Sequence, residues 1–158
     1  MSIAIIIAGT MCSGKSRISK KIQKELNIDL ITELNVSPNN IFGMIYEIKS
    51  KENKSNILIE HLEILRVIDK IEEYFTKIII ILLNVSEDVL IKNFNERKLY
   101  NTIKYPFETV LDRKKYIKEL FVELKNDYEK YIVDINTYDD YDLAYNYIMN
   151  ILSKYINK

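Results

Sequence analysis

Cysteine occurs once in this chain, proline twice and glycine three times. The single thiol, Cys12, has no second cysteine to pair with, so no internal disulfide staples the fold. Neither sign of charge is in excess: 23 Lys and Arg balance 23 Asp and Glu, for a formal net charge of zero. That balance excludes a broadly basic surface, argues against a nucleic-acid partner, and means that any cationic patch is local. Long apolar runs are missing too. The longest, "IAIIIA" and "IIIILL", fall far short of the roughly 20 residues that span a bilayer, and no basic leader region follows Met1. These absences predict a cytoplasmic protein with no membrane partner. At 158 residues and 47% hydrophobic content, the chain has material for one core, and we read residues 1–158 as a single domain.

Apolar runs alternate with longer amphipathic stretches, the pattern of a parallel sheet covered by helices. Residues 3–8 read as a fully buried strand. Residues 14–26 place Ile18, Ile22 and Leu26 on one face of a helix with lysines opposite. "IDLIT" (28–32) is a short second strand, and Ser37-Pro38 signals entry into a helix running to about Ser50, with Gly43 its weak point. "NILIE" (56–60) is the third strand. Leu62, Leu65, Ile68, Ile71 and Phe75 then mark the stripe of one helix over 61–75. "KIIIILLNV" (77–85) is the fourth strand, followed by a helix that Ser86 caps. Residues 98–107 break the pattern and read as a loop or lid. A long helix from about Glu108 to Tyr128, the strand "YIVDI" (131–135) and a helix from about Tyr141 to Ile156 complete the chain. The twelve tyrosines read as compositional bias.

Two of the three glycines fall in one short stretch. "GTMCSGKS", Gly9 to Ser16, fits G-x-x-x-x-G-K-[ST] without a mismatch and lies between a buried strand and an amphipathic helix. In that setting Gly9, Thr10, Met11, Cys12, Ser13 and Gly14 curl so that successive amides face an anion, and the positive end of the next helix faces the same point. Lys15 then reaches the β- and γ-phosphates of a nucleoside triphosphate, and the Ser16 hydroxyl ligates Mg²⁺. Arg17, at the phosphate end of the helix, either touches the α-phosphate or is solvated. Cys12 lacks a partner for nucleophilic work and contributes its backbone amide.

With that loop, the small size and the block "KIIIILLNVSEDVLIKNFNERK", the chain resembles the P-loop kinases of nucleosides, nucleotides and related small metabolites. Its C-terminal part is similar in layout to guanylate kinases, and "ITELNVSP" looks like the end of the second strand in deoxynucleoside kinases. The resemblance implies a three-layer α/β fold, a five-stranded parallel sheet of order 2-3-1-4-5 with helices on both faces. It implies a lid-like segment over about 97–113 carrying Arg97 and Arg113 as charge-stabilising arginines. It also implies Glu33 as base toward the acceptor and Glu60 as an acidic residue near Mg²⁺, with ATP and Mg²⁺ as donor and cofactor. Asn136, Thr137 and Tyr138 fall where such folds meet the adenine. His61, beside Glu60, either touches substrate or is a structural residue. About 25 residues, none of them arginine, separate the second and third strands, too few for a full GMP-binding insert, which gives an unphosphorylated hydroxyl acceptor weight beside a monophosphate. The expected activity is phosphoryl transfer to a small acceptor, a nucleoside or (deoxy)nucleoside monophosphate first. Another small metabolite, a polynucleotide 5′-hydroxyl, or a regulatory nucleotide-binding role with little turnover stand as alternatives. ATP versus GTP as donor and a homodimer are left open.

Overall fold

The computed structural model describes residues 2–33, 40–51 and 56–156. Five parallel strands form one sheet in the order β2-β3-β1-β4-β5. They are β1 (Ile3–Ala8), β2 (Asp29–Ile31), β3 (Ile57–Glu60), β4 (Lys77–Val85) and β5 (Glu129–Ile135). This is the order the resemblance implies. In register, Ile7 of β1 lies between Glu60 of β3 and Ile81 of β4, so β1 is central and its C-terminal end opens at the point where the strand order reverses. Ligands of open α/β sheets bind at such a point.

Both sheet faces are covered, which is why β1 and β4 read as unbroken apolar runs rather than alternating ones. Ile3, Ile5, Ile7, Ile79, Ile81 and Leu83 pack on one face with Ile18, Ile22, Phe94, Ala144 and Ile148. Those partners come from α1 (Lys15–Leu26), α4 (Glu87–Tyr100) and α6 (Asp140–Leu152). Ala4, Ile6, Ala8, Ile78, Ile80 and Leu82 pack on the other with Met44, Ile48, Ile117 and Phe121, from α2 (Ile41–Lys49) and α5 (Phe107–Glu123). Each fully buried Ile or Leu contributes about 1.5–3 kcal/mol.

Three local expectations need correction. Residues 61–75 do not form one helix. They split into a 3₁₀ turn (Ile64–Arg66), the single-turn α3 (Ile68–Ile71) and a second 3₁₀ turn (Glu72–Tyr74), and Ile64, Leu65, Val67, Ile68, Ile71 and Phe75 all enter the core on one face of the sheet rather than forming one helical stripe. The loop expected over 98–107 shrinks to 101–106, since α4 continues to Tyr100 and α5 starts at Phe107. Helix α5 stops at Glu123, and β5 begins at Glu129. Gly43, read as a weak point, has a structural reason. The Asn40 side chain accepts from Gly43 N at 2.9 Å as the cap of α2, and a Cβ there would stand 2.3 Å from Asn40 Nδ2. The Ser37-Pro38 signal lies outside the described residues. No helix among the described residues is long and apolar enough to cross a membrane.

Candidate active site

Residues Gly9–Gly14 join β1 to α1, and the loop's shape follows from two left-handed positions, Cys12 (φ 66°) and Gly14 (φ 85°). Gly14 is the N-cap of α1 and supplies no side-chain hydrogen bond to the first turn, which also contains no acidic residue. Helix starts ordinarily recruit such partners for their unpaired N–H groups. At this helix the task falls to whatever occupies the loop, and an anion fits.

The loop is pinned from behind. Asn93 of α4 donates from Nδ2 to Cys12 O at 2.8 Å and to the Tyr141 hydroxyl at 3.0 Å, and that hydroxyl donates to Ser13 O at 2.8 Å. Burial raises the Tyr141 pKa, which keeps its hydroxyl neutral and able to donate. Thr10 Oγ1 donates to Val110 O at 3.0 Å, fixing the loop to α5, and also contacts Met11 Sδ at 3.3 Å. With the carbonyls of Cys12 and Ser13 drawn outward, the loop's concave side is left to the amides. The sequence reading missed Asn93 and Tyr141. A signal existed for Asn93, since it stands four residues before Arg97 on α4; Tyr141 was hidden among twelve tyrosines.

Lys15 is only 6% exposed, and its ammonium donates to Thr10 O at 3.1 Å and lies 4.0 Å from Glu60 Oε1. Burial lowers its pKa, with Glu60 and Glu33 opposing. Glu60, 2% exposed, ends β3 and accepts from Ser16 Oγ at 3.2 Å through Oε1, while its Oε2 is buried without a hydrogen-bond partner. Burial pushes the Glu60 carboxyl up to about 6, with Lys15 pulling against it. A serine hydroxyl and a carboxylate with an unpartnered oxygen are hard oxygen donors, and they fit Mg²⁺, which typically takes one or two carboxylates and completes its shell with phosphate and water.

Three adjoining cavities meet at this loop. The middle one, about 330 Å³, is walled by residues 11–17 with Glu33, Glu60, Leu62 and Arg97. On the Ser16 and Glu60 side opens a cavity of about 780 Å³, bordered by Lys20, Thr32, Glu33, Arg97 and Tyr105 among others. On the Gly14 and Arg17 side lies one of about 350 Å³, bordered by Arg97, Tyr100, Tyr138 and Tyr141. Arg97 lines all three.

Gly9 to Ser16, Arg17, Glu33, Glu60 and Arg97 are therefore brought together. Gly9 has its own steric reason, as a Cβ there would meet Ser13 Oγ at 2.8 Å. Arg17 donates to the Tyr138 hydroxyl at 2.9 Å and lies over the rings of Tyr138 and Tyr141. Glu33 accepts from Leu62 N at 2.7 Å, which orders the turn after β3. Arg113 is turned elsewhere: it pairs with the buried Glu63, which also holds Arg66 at 3.0 Å, and it borders none of the three cavities. His61 is buried, its Nδ1 accepting from Glu63 N at 3.1 Å.

No family model matches this sequence and no curated protein is detectably similar to it. Solved structures are similar in fold. A shikimate kinase from Acinetobacter baumannii superposes with a TM-score of 0.63 at 17% identity, covering 98% of this chain and 95% of that one. This chain shares that fold: a five-stranded parallel sheet of order 2-3-1-4-5 with helices on both faces. A deoxyadenosine kinase from M. mycoides with dCMP and dCDP bound gives 0.64 at 19% identity over 98% and 99% of the two chains. A gluconokinase from Sinorhizobium meliloti gives 0.60 at 16% identity over 97% of each.

Proposed function

We propose that this protein transfers the terminal phosphoryl group of a nucleoside triphosphate to a small acceptor held in the 780 Å³ cavity. The observation that carries this reading is the junction itself: an anion cradle with a buried lysine, open on either side to a separate cavity, with one arginine bordering all three. Phosphoryl transfer asks mainly for positioning and positive charge around the moving group. Lys15 leaves Thr10 O for the β- and γ-phosphate oxygens, and the P-loop amides hold the rest of the chain of phosphates. Ser16 and Glu60 would hold Mg²⁺, which when bound would supply neutralisation of the phosphate charge. Arg97 brings the positive charge from α4, and the segment around 97–113 acts as a lid that excludes water. Arg113 serves this reading as a positioning residue, holding Glu63 and so the turn after β3. Glu33 borders the acceptor cavity, where its carboxylate accepts the acceptor's proton.

The acceptor of first choice is a nucleoside or a (deoxy)nucleoside monophosphate. Relatives in fold are named as kinases of shikimate, gluconate and deoxyadenosine, so the fold carries several acceptor classes and another small hydroxylated metabolite is the second reading. Triphosphate consumption measured against a panel of nucleosides, monophosphates, sugars and sugar acids tests this. One acceptor class is expected to raise turnover well above the rate without acceptor, and Lys15→Ala to lower it on the order of a hundredfold or more with the thermal melt retained. A panel on which no acceptor stimulates turnover contradicts the kinase reading.

A further inference from the structure

This inference rests on the triphosphate reading of the P-loop and concerns which donors it accepts. Ser16 and Glu60, the groups assigned to the terminal phosphates, border the 780 Å³ cavity. The donor's base therefore lies at the opposite end, in the 350 Å³ cavity beside Gly14, Arg17 and Tyr138.

A site selects one base over another by hydrogen-bonding its edge, and such reading rejects the wrong base by roughly 10⁴-fold or more. Several backbone groups around this cavity are already engaged within the protein. In the loop after β5, Asn136 N and Thr137 N both donate to Asp140 Oδ2, at 2.9 and 3.0 Å. Asn136 O accepts from Ser86 Oγ at 3.2 Å, and Thr137 O and Tyr138 O accept from the amides of Asp140 and Tyr141. On the other walls, Cys12 O takes Asn93, Gly14 O takes Ile18 N, and Arg97 O takes Asn101 N. The other polar side chains on the walls, Glu96, Arg97, Asn101 and the Tyr100 hydroxyl, are exposed, so water competes for them.

Flat surfaces are what the cavity does offer. Arg17 lies 5.2 Å over the Tyr138 ring, the Tyr138 and Tyr141 rings meet edge to face, and the Tyr100 ring is 84% exposed at the rim. Stacking on aromatic and guanidinium planes is tolerant of base identity because every base has a π-face.

We propose that the donor is held by its triphosphate and by the face of its base, with no reading of the base edge. ATP, GTP, CTP and UTP are then interchangeable donors, with dissociation constants within about tenfold of one another. The test is a calorimetric titration of the full chain, with Mg²⁺, by each of the four triphosphates and by ribose 5-triphosphate, which has no base. Four similar constants, with the ribose compound weaker by about five- to a hundredfold, are expected. Tyr138→Ala, at a 40% exposed position, is expected to weaken all four by a common factor and to leave ribose 5-triphosphate unchanged. One nucleotide binding more than a hundredfold tighter than the other three overturns the inference and leaves the phosphate site standing. Ribose 5-triphosphate binding as tightly as the four overturns the stacking arrangement. No binding by any of the five overturns both this inference and the reading beneath it.

Discussion

At Gly14 the backbone sits at φ 85°, and a Cβ built there would stand 2.5 Å from Tyr141 Cε1. Gly14→Ala therefore meets backbone strain and a steric clash together. We expect a loss of stability on the order of 2–4 kcal/mol by chemical denaturation, and a triphosphate affinity that falls further than stability alone explains. Glu60 gives a pH dependence of defined sign. Its carboxyl is pushed from an ordinary value of 4.5 to about 6 by burial, so between those pH values the folded chain keeps a proton that the unfolded chain has released. This group's contribution is fully present below about pH 4.5 and is lost as pH rises through about 6, a change on the order of 1–2 kcal/mol in the ligand-free protein. Glu60→Gln, which keeps an acceptor for Ser16, is expected to flatten the stability curve over that range and to raise the melting temperature at pH 7.5 by a few degrees. It is also expected to weaken Mg²⁺-dependent binding of triphosphate. An unchanged pH profile in this variant contradicts the assignment.

At the scale of the elements, the P-loop owes its shape to helices distant in sequence. Asn93 on α4 and Tyr141 on α6 hold the carbonyls of Cys12 and Ser13, so these two helices set the direction of the loop's amides. Tyr141→Phe leaves Ser13 O without its buried donor. The expected cost is about 1–2 kcal/mol in stability, with triphosphate affinity about tenfold weaker; a binding constant equal to the parent's shows that the pin does not shape the loop. Sequence reached this level unevenly. The P-loop was legible because its glycines and the Lys15-Ser16 pair are dictated by local geometry. β1 and β4 were legible because burial on both faces forces every position to be apolar. The stretch 61–75 was not, since Leu65, Ile68, Ile71 and Phe75 have helical spacing while tertiary packing winds them into three short turns. Arg113 shows the same limit. Its position on α5 suited a second lid arginine, but the Glu63 that claims it lies 50 residues away.

For the molecule as a whole, the formal charge of zero holds charged groups of both signs at the cavities, where Lys15, Arg17, Lys20 and Arg97 stand beside Glu33, Glu60 and Glu96. Under the proposed function, the three cavities along that line serve as base end, phosphate cradle and acceptor end. Sheet order and layer arrangement followed from the alternation of runs together with the family resemblance, whereas the acceptor is a property of side chains lining the 780 Å³ cavity, on which composition and periodicity are silent. The most direct test of the central claim is a crystal structure of this chain with a non-hydrolysable nucleoside triphosphate and Mg²⁺. The account predicts the phosphates inside the curve of residues 9–16, with Lys15 Nζ moved from Thr10 O onto a β- or γ-phosphate oxygen. It also predicts the base against Tyr138 and the Glu33 cavity open beside the terminal phosphate. A triphosphate bound elsewhere, or bound with Lys15 still on Thr10 O, would contradict it.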